Sequence, residues 1–115
     1  MKQELDTIDQ RILTILQSDA TQSVDAISDR VALSRNACWR RIKALEASGI
    51  IRARVALLDP IKIGCPLTAL VLIRTEHHSD NWRKDFATAI AALPEIISAQ
   101  RMTGDLDYVL RVRLT

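Results

Sequence analysis

Residues 23–58 read SVDAISDRVALSRNACWRRIKALEASGIIRARVALL, and their spacing decides the fold. Ser23 can cap a short helix over residues 24–31, in which Ile27 and Val31 share one face. Ala32, Leu33 and Ser34 then make a turn, with Leu33 expected beneath it, and Ser34 supplies the next N-cap. The helix it opens runs to about Ser48, where Gly49 suits the left-handed position that ends a helix. Cys38, Ile42 and Leu45 form its inward stripe, so Arg35, Asn36, Arg40 and Lys43 face outward. Residues 50–58 are rich in β-branched and aliphatic side chains, with Arg52 and Arg54 on one side, and predict a strand. Helix, short turn, basic helix and basic strand is the order of a winged helix-turn-helix.

The charge pattern points the same way. Net charge is only +2, but between Arg30 and Arg54 seven basic residues face a single acid, Glu46. A local basic stripe on a near-neutral protein is an electrostatic footprint for nucleic acid. A solvated helix face is the common alternative, and the inward stripe beneath the charges weighs against it. A helix fits the major groove of double-stranded DNA, and its N-terminal residues can reach base edges. Arg35 and Asn36 are the residue types suited to guanine and adenine edges. Arg40, Arg41, Lys43, Arg52 and Arg54 are expected on phosphates, which fix position without reading sequence. With the cap Ser34, these make the candidate DNA contacts.

Working outward, residues 6–18 form a first helix, with Leu5, Ile8, Ile12, Ile15 and Leu16 at helical spacing and Asp6 as its cap. Residues 1–58 are therefore read as the DNA-binding domain. Residues 59–66, with two prolines and a glycine, read as a linker. Residues 67–115 form a second domain. A strand over 67–75 precedes a helix over 80–93, capped by Ser79, with Trp82, Phe86, Ile90 and Leu93 inward. A second strand follows over 96–103, then the turn Gly104-Asp105-Leu106-Asp107. The last strand, 108–114, sets Tyr108, Leu110, Val112 and Leu114 on one face against Val109, Arg111 and Arg113 on the other. The second domain thus runs β-α-β-β, and the whole chain is α+β.

The totals exclude other classes. Hydrophobic residues at 48% and charged residues at 26% describe a folded chain, not a disordered one. The apolar stretch at 67–73 is too short to span a bilayer, and the opening Met1-Lys2-Gln3-Glu4 begins no signal sequence, so no membrane partner is expected. Cys38 and Cys65 fit neither a disulfide framework nor zinc-ligand spacing, which implies a reducing cytoplasm and, with DNA as partner, the nucleoid. Nothing in the sequence asks for a cofactor.

The segments LDTIDQRILTILQSDA, LSRNACWRRIKALEASGII and VALLDP, followed by MTGDLDYVLRVRL, resemble the Lrp/AsnC (feast/famine) transcriptional regulators along the whole chain. The resemblance implies a winged helix-turn-helix joined to a ferredoxin-like βαββαβ sandwich domain. It also implies homodimers that pair through the sheet and often assemble further, with amino acids bound between dimers. The stretch KIGCPLTALVLIRTEHHSDNW is closer to the branch that includes a regulator of cysteine detoxification, making L-cysteine the first effector to try. The family's glycine-acid turn falls on Gly104, Asp105 and Asp107, with Met102, Thr103 and Tyr108 lining the same pocket. Gly104 would let the backbone approach a ligand, and a carboxylate would pair with its ammonium group. A plain hairpin turn uses the same residue types. Only βαββ of the family's βαββαβ is present before Thr115, so the chain is expected to be part of a longer protein, with the strand at 67–75 left as a bare edge.

Three other readings remain in view. His77 and His78, beside Glu76 and Asp80, suggest a metal site, but adjacent histidines on an extended segment point to opposite sides. Sirohaem decarboxylases share the architecture, yet their histidine-rich signature is absent from residues 97–104, so no catalytic residue is expected. An architectural, nucleoid-compacting protein would share the fold and show weak sequence preference. Cys38 is expected to be a small buried hydrophobe, Cys65 an exposed thiol, and Trp39, between the inward and outward stripes, a packing residue in preference to a DNA-backbone contact.

Overall fold

The computed structural model describes residues 4–115; residues 1–3, which begin the segment read for a signal sequence, lie outside it. Two compact units divide between Ala56 and Leu57.

The first unit is three helices. Helix α1 (Thr7–Ser18) starts at Asp6, whose carboxylate accepts the backbone N–H of Asp9 at 2.7 Å. Helix α2 (Val24–Val31) is capped by Ser23, and α3 (Arg35–Ala47) by Ser34. Each serine hydroxyl accepts the N–H three residues on, satisfying a donor that the helix cannot use itself. Ile12, Ile15, Ile27, Val31, Cys38, Ile42 and Leu45 interlock as the core, with Leu33 and Ile51 packed at its edge. Each such aliphatic side chain contributes about 1.5–3 kcal/mol on leaving water. Between α2 and α3 the chain turns through Ala32 in the left-handed region, φ 56°. Arg11 donates to the Arg30 carbonyl at 2.6 Å, covering the C-terminus of α2 from α1. Gly49, φ 81°, ends α3, and the Ile51 N–H donates back to the Leu45 carbonyl at 3.1 Å.

Beyond Ile51 the sequence expectation fails in one respect. Residues 52–58 form no regular element and belong to no sheet among the described residues. β-branched composition suits a pleated surface, but a strand also needs a neighbour to complete its ladder, and no described residue pairs with this arm. A turn follows, in which Cys65 donates its N–H to the Pro60 carbonyl at 2.8 Å.

The second unit is an antiparallel sheet in the order β1-β3-β2, formed by β1 (Leu67–Ile73), β2 (Ile96–Arg101) and β3 (Tyr108–Leu114), with helix α4 (Asp80–Ala91). Leu67 pairs with Leu114 and Ile73 with Tyr108, so alternation along β3 extends across both strands. Tyr108 and Leu110 are buried, and Tyr108 meets the rings of Phe86 and Trp82 at 4.7 and 5.9 Å. Ile90 is half-buried as expected from its spacing, but Leu93 is not inward. Helix α4 ends at Ala91, and Leu93 sits in the following turn with 51% of its surface exposed.

Candidate nucleic-acid interface

The serine cap and the buried stripe together fix which way α3 faces. Cys38, Ile42 and Leu45 are enclosed, so Arg35, Asn36, Arg40 and Lys43 stand exposed on the other side. Burial pushes the Cys38 thiol above its ordinary value, keeping it a neutral packing group. Asn36, Arg40 and Arg52 make no ion pair or side-chain hydrogen bond with the described residues. The other cations are held. Arg35 Nε lies 3.1 Å from Asp25 on α2, while Glu46 receives Lys43 at 3.3 Å and Arg54 at 2.9 Å.

Arg41, expected on a phosphate, is already paired within the protein. Its guanidinium reaches Asp6 at 2.5 Å and Asp9 at 3.2 Å, bracing α3 against α1. The reason is helical phase: Arg41 is three residues from Cys38 and four from Leu45, beside the core stripe. The Arg41 guanidinium and the Asp9 N–H hold the Asp6 carboxyl below the usual carboxylate range. Trp39 stands between the two readings of it, as packing or as a DNA-backbone contact. Half of its surface is exposed, and the Lys43 ammonium lies 5.7 Å from its ring centre, within reach of a cation–π contact.

In the second unit the turn after β2 is organised by one of its acids, Asp107. Asp107 accepts the Thr75 N–H at 2.8 Å, lies 3.8 Å from His78 Nε2, and passes its N–H to the Ile73 carbonyl at 2.9 Å. Its carbonyl accepts the Met102 N–H at 2.8 Å. Gly104 has φ 108°, a conformation side chains rarely adopt. Met102, Thr103, Gly104 and Asp105 are exposed, and Arg74 donates to the Asp105 carbonyl at 3.0 Å, leaving that carboxylate unpaired among the described residues. Tyr108 is different: it belongs to the aromatic cluster under α4, not to an open pocket wall. The described residues contain no cluster of metal-ligating side chains, and His78 faces Asp107 alone.

Two family descriptions match this arrangement in order. Residues 5–52 match a winged helix-turn-helix DNA-binding model, and residues 68–115 match the Lrp/AsnC ligand binding domain. The DNA-binding transcriptional activator DecR of Escherichia coli K12 is 47% identical over 96% of this chain and 72% of its own length. The chain belongs to the Lrp/AsnC family.

Other members agree. A glutamate uptake regulatory protein of Zymomonas mobilis is 46% identical over 99% of the chain and 70% of its own length. The crystal structure of an AsnC family transcriptional regulator from Agrobacterium tumefaciens superposes with a TM-score of 0.88 at 46% identity, covering 96% of this chain and 72% of that one. A transcriptional regulator from Neisseria meningitidis, solved in complex with L-Met, gives 0.87 at 36% identity over 97% and 72%. The protein is thus a DNA-binding transcriptional regulator of Lrp/AsnC type with a ligand binding domain, and not an enzyme. Within this Lrp/AsnC chain, sequence reasoning passed over Asp25 and gave Glu46 no role. Glu46 was visible as the one acid in the basic run; Asp25 carried no such signal, because its partner lies on another helix.

Proposed function

We propose that the protein is a sequence-specific regulator of genes of amino-acid metabolism, acting at the nucleoid in the cytoplasm and tuned by a small amino acid. The observation that supports this reading is the outward face of α3, where Arg35, Asn36 and Arg40 stand exposed behind the Ser34 cap. Arg35 and Asn36 read base edges, each good bidentate pair giving about 1–3 kcal/mol of discrimination. Ser34, Arg40, Lys43, Arg52 and Arg54 contact phosphates. Two chains pair through their C-terminal sheets and present two α3 helices to successive major-groove faces of a roughly palindromic site.

The effector binds at the exposed turn Met102–Asp105, with the Asp105 carboxylate receiving the ammonium group and Asp107 shaping the turn. L-cysteine is the first candidate on sequence resemblance. The L-Met complex of the Neisseria regulator and the glutamate in the Zymomonas relative's name add those amino acids to the panel. An effector changes DNA affinity only by binding one assembly state better than another.

A footprint on the promoter beside the protein's own gene, with and without each amino acid, tests the reading. Arg35→Ala should relax base preference at one position of each half-site. Arg54→Ala should weaken all sequences alike and lower the salt slope by about one unit. Unchanged sequence profiles and slopes in both variants would overturn these roles. A specific to non-specific ratio near one would favour the architectural protein instead.

A further inference from the structure

Two carboxylates stand within the surface assigned to DNA. Asp25 meets Arg35 at Nε, and no described residue accepts a hydrogen bond from either terminal nitrogen of that guanidinium. Those two nitrogens form the end of the fork that pairs with guanine O6 and N7. Glu46 holds one cation on each oxygen: Lys43 on Oε2 at 3.3 Å and Arg54 on Oε1 at 2.9 Å. The second pair matters because residues 52–58 have no ladder to fix them, so Glu46 supplies a tie between the arm and α3. Long cationic side chains otherwise sample many rotamers, and binding must then fix them.

Resting on the DNA-binding reading above, we propose that Asp25 and Glu46 determine specificity by holding Arg35, Lys43 and Arg54 in set positions and neutralising them against random duplex. Non-specific binding is almost wholly electrostatic, so a cation already paired with a carboxylate adds less to it than a free one. At the correct site Arg35 keeps Asp25 on Nε and offers its terminal nitrogens to a base. Lys43 and Arg54 are delivered at a fixed separation, which suits one phosphate register and not others. The acids therefore lower affinity for any duplex while lowering it least for the matching one.

The test compares the parent chain with Asp25→Asn and Glu46→Gln, both near-isosteric changes on the surface of the first unit. Binding to the footprinted promoter duplex and to an unrelated duplex of equal length is measured by fluorescence anisotropy over a salt series. Thermal melts check folding, and Asp25→Ser and Glu46→Ala repeat the measurement if an amide variant does not fold. Each variant is expected to bind unrelated DNA more tightly and to lose roughly threefold in the specific to non-specific ratio, the scale of one exposed ion pair. For Glu46→Gln the non-specific salt slope should steepen by about one unit. An unchanged or increased ratio overturns the proposal for that residue, including the case where both duplexes gain equally, since that is charge removal alone. A parent ratio near one would instead remove the reading of sequence-specific binding, before any variant is compared.

Discussion

The two units enclose their apolar residues very differently. In the first, Ile12, Ile27, Cys38 and Leu45 are almost completely shut off from solvent. In the second, Tyr108 and Leu110 alone among the described residues are buried, while Leu67, Leu70 and Leu72 each keep more than half their surface exposed. The cause is geometric. Three crossing helices enclose a common centre from three sides, whereas a sheet has two faces and α4 covers part of one. The helical unit therefore rests on a few interlocked aliphatic side chains, and the sheet unit on its ladder and one aromatic cluster.

The contrast can be broken most directly with leucines. Leu45→Ala should cost about 2–5 kcal/mol, against less than about 0.5 kcal/mol for the exposed Leu70→Ala, both from denaturant unfolding. Similar costs would mean that the two leucines have similar surroundings in solution. Tyr108→Ala should cost about 2–3 kcal/mol, below the range for fully enclosed aromatics because Trp82 and Phe86 are only half-buried, and should shift tryptophan emission. Gly104→Ala should cost about 1 kcal/mol. No atom lies within 4 Å of an added Cβ there, so backbone strain would be the whole of the effect, and a larger loss on melting would reveal an unseen neighbour.

The smallest change concerns Asp6, whose pKa is depressed in the folded chain by Arg41 and the Asp9 N–H. A depressed carboxylate stabilises above its unfolded pKa, and that contribution disappears as pH falls through the folded value. Asn also caps helices well, so Asp6→Asn isolates the charge. The parent should melt slightly higher than this variant at neutral pH, and the two should converge below the ordinary carboxylate range. A gap that persists in strong acid would assign the effect to the cap instead.

Legibility in the sequence followed range. Ser23, Ser34 and Ser79 each mark a helix start through a contact three residues away, and all three cap as expected. The alternation of β3 was equally local, and it carried the sheet's inner face with it. What the sequence concealed depends on partners far along the chain. Arg41 shares with Arg40 the expectation of a phosphate contact, and nothing local announces its two carboxylates, 32 and 35 residues away. Residues 52–58 have strand-like composition, but pairing is a property of two segments. Leu93 was misplaced by the two residues that separate it from the end of α4, where helical phase no longer governs direction. At the turn, Gly104 was readable as a positive-φ position, whereas the engagement of Asp107 with Thr75 joins segments 32 residues apart.

The free thiols give each unit its own clock. Cys38 is sealed in the helical core with its thiolate disfavoured, and Cys65, partly accessible, belongs to the other unit. A thiol reagent should therefore modify Cys65 first and reach Cys38 only when the three helices part. The second rate reports how often α3 lets go of its own support. If α3 lies against DNA as proposed, a bound duplex should slow it, without a label, a mutation or a tag.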